Sequence, residues 1–160
     1  MKLKSRYLAT GGMIAAVYVI LTLVCSSIGL ASGMIQLRLS EALCVLPFFS
    51  SAAVPGLFLG CLLSNLITGC PVWDVVFGSL ATLLGAFGTR ILKKHRFLGC
   101  LPPILANALI IPTILIRAYG VRQAWLFLFM TVAAGECLSV LLAGQLLYSL
   151  LREHPALLRD

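Results

Sequence analysis

Residues 90–96 read Arg90-Ile91-Leu92-Lys93-Lys94-His95-Arg96, the densest basic cluster in the chain. An apolar run from about Trp73 to Ile91 leads into it, and another opens after Pro102-Pro103 and ends near Ile116. A basic knot between two apolar runs is the signature of a loop held on the cytoplasmic side of a membrane. Working outward, the same alternation holds across the chain. An apolar run from Tyr7 to Ile28 follows Met1-Lys2-Leu3-Lys4-Ser5-Arg6, and a last run from Trp125 to Leu151 precedes a polar tail from Arg152 to Asp160. The first run is too long for a signal peptide, and no convincing small-x-small cleavage site with a polar mature domain follows it, so it is expected to be an uncleaved first helix.

Composition agrees. Hydrophobic residues make up 61% and charged residues 11% of the 160 residues, against about 45–50% and about 25% in soluble domains. With a mean hydropathy of +1.06, the reading is a single all-α integral membrane domain over residues 1–160. The net charge of +7 is not a nucleic-acid footprint, because the cations flank spans instead of forming a stripe. Two shorter apolar segments, from Leu37 to Ser50 and from Pro55 to Thr68-Gly69, complete six transmembrane helices. At about 14 residues each would reach ~21 Å, short of a ~30 Å hydrocarbon core, which leaves open a re-entrant hairpin. Six passes with both termini cytoplasmic put nine of the twelve basic residues inside and leave Arg38, Arg117 and Arg122 outside, as the positive-inside rule requires.

Setting aside the tail acids Glu153 and Asp160, the acids Glu41, Asp74 and Glu136 all fall in or at the ends of spans. Charge at membrane depth costs about 2.5–3.5 kcal/mol on insertion scales, so such residues face protein and mark function. On a helix Arg38 and Glu41, three apart, share a face. Together with Asn65, Trp73, Asp74, Asn107 and Glu136 they come from five helices and lie between the outer face and mid-depth. The reading is an outward-facing polar chamber: carboxylates accept, asparagines donate and accept, and Trp73 offers a stacking face. Such a set suits a flat, nitrogen-rich heterocycle or an amine. The plainer alternatives are an interfacial anchor for Trp73, a helix cap for Asp74 and an interhelical bond for Asn107.

Gly11 with Ala15 and Gly12 with Ala16 form small-x-x-x-small pairs on the first helix, a stripe for close helix approach, within the chain or to a partner. The six cysteines form no C-x-x-C pair and read as small hydrophobes. Neither histidine has a partner at metal-ligand spacing, so no metal and no cofactor is expected. No nucleophile motif and no P-loop occurs. The reading is therefore no enzyme, with energy supplied by a partner or an ion gradient.

Six blocks in order carry a family resemblance: Gln36 to Leu43 (Gln-Leu-Arg-Leu-Ser-Glu-Ala-Leu), Leu46-Pro47-Phe48-Phe49, Pro55 to Cys61 with Asn65-Leu66, Asp74 to Leu84, Pro102-Pro103 with Asn107-Ala108-Leu109, and Gly135-Glu136. The chain resembles the QueT family of queuosine-precursor transporters, substrate-binding (S) components of energy-coupling-factor (ECF) transporters. The resemblance implies a six-helix bundle in a bacterial cell membrane. It would bind a 7-deazaguanine from outside and work with a transmembrane scaffold (T) subunit and a pair of cytoplasmic ATPases. It implies docking of the scaffold on Gly12 and Ala16, with Gly11 and Ala15 beside them. One departure bears on ligand charge: the family pattern carries an acid after the Asn107 block, where this chain runs from Ile110 to Arg117 without one. The rivals are an autonomous proton-coupled transporter using Glu136 or Glu41, an S component for a different vitamin-like solute, and an intramembrane enzyme acting on lipid.

Overall fold

The structure is a computed structural model, and it describes residues 2–29 and 38–154, with side chains from residue 4 onward. Among the described residues every regular element is a helix, and none is a strand. Helix α1 spans Lys2–Ser27, a 3₁₀ helix spans Leu39–Phe48, and α2 spans Ala53–Ile67. A π-helical segment, Asp74–Gly78, leads into α3, Ser79–Ile91. A short 3₁₀ turn opens α4, Leu101–Tyr119. Helix α5, Trp125–Glu136, continues through a second π segment, Cys137–Ala143, into α6, Gly144–Glu153.

Four of these rods are long and apolar enough to cross a membrane: Lys4–Ser27, Asp74–Ile91, Leu98–Tyr119 and Trp125–Glu153. Helix α2 and the 3₁₀ helix are shorter, as their apolar lengths foretold. Successive rods alternate in direction. The start of α1, the turn at residues 49–52, the basic cluster and the end of α6 meet at one end: the Tyr7 hydroxyl donates to the Ser51 carbonyl, and Phe49 and Tyr148 rings pack 5.0 Å apart. We call this the basic end and its opposite the distal end.

The segment expected to be an α-helix from Leu37 is a 3₁₀ helix instead, and Leu37 itself lies outside the described residues. Length and crowding both account for this. At ~2.0 Å per residue, ten residues reach about 20 Å, where an α-helix would reach ~15 Å. The rod is also the centre of the bundle, with every residue from Ser40 to Pro47 buried. Leu43, Cys44 and Leu46 pack with Ile14, Leu57 and Ala86, while Val45 packs with Cys100, Ile104 and Val140. A thin rod accommodates close neighbours: a Cβ at Gly144 would lie 2.9 Å from Val45 Cγ1 and 3.2 Å from the Ala42 carbonyl oxygen. Arg90 Nη1 donates to the Pro47 carbonyl at 3.0 Å and closes the basic end of the rod.

The other boundaries follow local chemistry. Pro55 sits in the first turn of α2, and Gly69 past its end takes φ 71°, which L side chains resist. Helix α4 runs three residues beyond the expected Ile116, so Arg117 is helical, and Gly120 caps it in the left-handed region at φ 64°. Helix α1 and α2 interlock without side chains. A Cβ at Gly56 would lie 2.7 Å from the Gly11 carbonyl oxygen, and one at Gly60 would lie 3.0 Å from that of Ala15.

A similar close approach joins α3 to α4. A Cβ at Gly85 would sit 2.6 Å from Pro103 Cα, backbone that cannot rotate away. Gly85→Ala is expected to lower the thermal unfolding midpoint in detergent, at the ~1–3 kcal/mol typical of overpacking. An unchanged midpoint would show that α4 is free to shift.

Candidate functional site

At the distal end the polar residues from separate rods come together in two layers. The outer layer is a cavity of about 370 Å³ whose polar lining is Thr22, Ser26, Arg38, Asn65, Thr68, Asp74 and Tyr119, with Cys70. Asp74 organises it. Its Oδ2 accepts the Tyr119 hydroxyl at 3.0 Å and faces Arg38 Nη2 at 4.0 Å. Asn65 Nδ2 donates to the Asp74 main-chain carbonyl at 3.3 Å. Arg38 sits just before the 3₁₀ helix in extended backbone, φ −109°, ψ 98°. It therefore leaves the face that an α-helix would have shared with Glu41, and its ion pair is with Asp74.

Glu41 lies deeper, on the central rod. Tyr18 of α1 donates its hydroxyl to one carboxylate oxygen and the Cys44 thiol donates to the other at 3.1 Å. Thr22, one turn beyond Tyr18, is hydrogen-bonded to the Ser40 hydroxyl at 2.9 Å. The buried cysteines are thus more than apolar filler, since Cys61 also accepts from Asn65 Nδ2 at 3.6 Å.

The inner layer holds Asn107 of α4 and Glu136 at the end of α5, 3% and 7% exposed. Glu136 lies within electrostatic reach of Glu41, Arg38 and Asn107. Yet among the described residues Glu136 Oε2 and Asn107 Nδ2 have no hydrogen-bond partner, and neither does Ser139 Oγ. Trp73 is not brought to either layer. It is 62% exposed and stacks on Phe77 with ring centroids 5.7 Å apart. The two line a separate groove of about 580 Å³ with Leu109, Thr113 and Arg117.

Both π segments sit at a site acid: Asp74 opens the first, and Glu136 immediately precedes the second. π-Helical residues make up well under 1% of structure and recur at functional sites, because the widened turn re-aims a side chain. Sequence reasoning missed Tyr18, Thr22, Tyr119 and Ser139. For Tyr18 the signal was present, since it shares the inward face of α1 with Gly11 and Ala15. Tyr119 was concealed by placing it in a turn.

The small-residue stripe divides. Ala15 is buried and Gly11 backs against Ala52 and Gly56 of the α2 segment, while Gly12 has no heavy atom within 4 Å of its would-be Cβ and Ala16 is exposed. Leu8, Met13 and Ile20 extend that free face.

An 83-residue stretch is 36% identical to the queuosine precursor transporter QueT of Lactococcus lactis subsp. cremoris (strain MG1363), covering 52% of this chain and 48% of that protein. The chain thus matches about half the length of that relative. No solved structure matches it. The profile of the QueT transporter family matches residues 8–153, which takes in every rod described above and both layers of the distal site. The chain belongs to the QueT transporter family.

Proposed function

We propose that this chain is the membrane-embedded substrate-binding subunit of an ECF-type uptake transporter and takes a 7-deazaguanine precursor of queuosine from outside the bacterial cell. One observation carries the reading: buried, unsatisfied hydrogen-bonding groups lie beneath a polar cavity at the end opposite the basic cluster. Unpaired polar atoms in an apolar interior cost about 1–3 kcal/mol each, and a bound solute with matching groups removes that cost. With the basic end in the cytoplasm, as the positive-inside rule requires, this site opens to the exterior and both chain termini are inside. The chain has no P-loop, so ATP hydrolysis falls to a separate ATPase pair. A transmembrane scaffold subunit would dock on the free Gly12–Ala16 face of α1.

The substrate residues in this reading are Arg38, Glu41, Asn65, Asp74, Asn107 and Glu136. Calorimetry on the purified protein tests it, with the aminomethyl and cyano 7-deazaguanines and mass spectrometry of co-purified solutes. One-to-one binding of either base is expected. No binding of any 7-deazaguanine, with another solute co-purifying, would overturn the substrate. Uptake that persists without ATPase partners and collapses with an uncoupler would favour a proton-coupled transporter instead.

A further inference from the structure

Buried hydroxyls in these helices have a habitual partner. Thr22, Ser79, Thr82 and Thr89 each donate to the carbonyl four residues earlier, and Ser64 to the one three earlier. Ser139 makes no such bond: it is 1% exposed, and its Oγ has no partner among the described residues. It lies in the π segment Cys137–Ala143, where hydrogen bonds span five residues and the ordinary register is lost. It shares the inward face of its rod with Glu136, Val132 and Val140. Asn107 stands within side-chain interaction range of Glu136 from α4, while its Nδ2 meets no partner in hydrogen-bond geometry among the described residues.

The three unsatisfied groups differ in kind. Asn107 Nδ2 is a donor, Glu136 Oε2 an acceptor, and Ser139 Oγ is both. A bare cation would leave the Asn107 N–H unmet, and an anion would leave the Glu136 oxygen unmet. The complement is a solute edge on which an acceptor and an N–H donor stand side by side. We propose that Asn107, Glu136 and Ser139 form a triad that selects the lactam–amidine edge of a guanine-like ring. Ser139 is a specificity-determining residue in this triad, and the ring's other side points to the cavity around Asp74. Asn107 donates to the ring carbonyl, Glu136 accepts a ring N–H, and Ser139 completes the edge. This rests on the proposed 7-deazaguanine reading and assigns the ligand's orientation within it.

The test uses Ser139→Ala in the full chain, with two readouts. Removing an unpaired buried hydroxyl leaves the unfolding midpoint of the ligand-free protein unchanged or raises it. The same change weakens binding of the aminomethyl or cyano 7-deazaguanine about tenfold. In the wild type, the ring lacking its 2-amino group (a 7-deazahypoxanthine) binds at least tenfold more weakly than its 2-amino counterpart. A lowered midpoint with unchanged affinity would make Ser139 a structural residue and overturn the triad. Equal binding of the two rings would overturn the orientation. Absence of any 7-deazaguanine binding to the wild type would overturn both the substrate reading and this inference. Wild-type binding with a neutral Ser139→Ala would overturn the inference alone.

Discussion

Glu136→Gln is expected to weaken binding of the proposed 7-deazaguanine ligand by at least tenfold, with calorimetry on the purified protein as the check. The exchange keeps shape and volume, so the fold has little reason to respond. Among the described residues Glu136 makes no ion pair that the substitution would break, and its Oε2 has no hydrogen-bond partner. What changes is the group offered to the solute. A carboxylate oxygen accepts an N–H, whereas an amide can turn a donor toward it. A hydrogen bond to a charged group contributes ~1.5–3 kcal/mol, which corresponds to roughly 10- to 150-fold in affinity. An unchanged dissociation constant would remove Glu136 from the site.

Gly12→Leu combined with Ala16→Leu is expected to abolish co-purification with the proposed scaffold subunit and to leave ligand affinity at the wild-type value. Both positions face away from the bundle, and a side chain at Gly12 enters open space, so the substitutions do not disturb the chain's own packing. Helices that meet across small residues approach too closely to admit two leucines. The contrast lies one residue back. Gly11 and Ala15 press on α2 through their backbones, and Gly56→Ala, whose Cβ would stand 2.7 Å from the Gly11 oxygen, perturbs the fold instead of the assembly. Co-purification of the double variant at wild-type yield would move the docking face elsewhere.

Much of this was legible in the residues because membranes enforce simple rules. Apolar run lengths located the rods, and the two runs too short to span are the 3₁₀ helix and α2. The acids Glu41, Asp74 and Glu136 are all buried, as the cost of charge in hydrocarbon dictates. What escaped depended on backbone form. Hydropathy does not distinguish a 3₁₀ or π turn from an α turn, so the partner of Arg38 was misjudged: three-residue spacing pointed to Glu41, and the extended backbone at Arg38 delivered it to Asp74. Trp73 was placed in the chamber by its depth and its stacking face, but adjacent helical residues point about 100° apart, and it stacks on Phe77 outside the chamber. The unbonded state of Ser139, within a π segment, was invisible to hydropathy as well.

The central rod has one more property. Ten residues wound three to a turn are held in a stretched form, since long 3₁₀ runs are uncommon. Rewound as α, Leu39–Phe48 would shorten by about 5 Å. With its lower end latched by Arg90 on Pro47, that contraction would draw Arg38 down from Asp74.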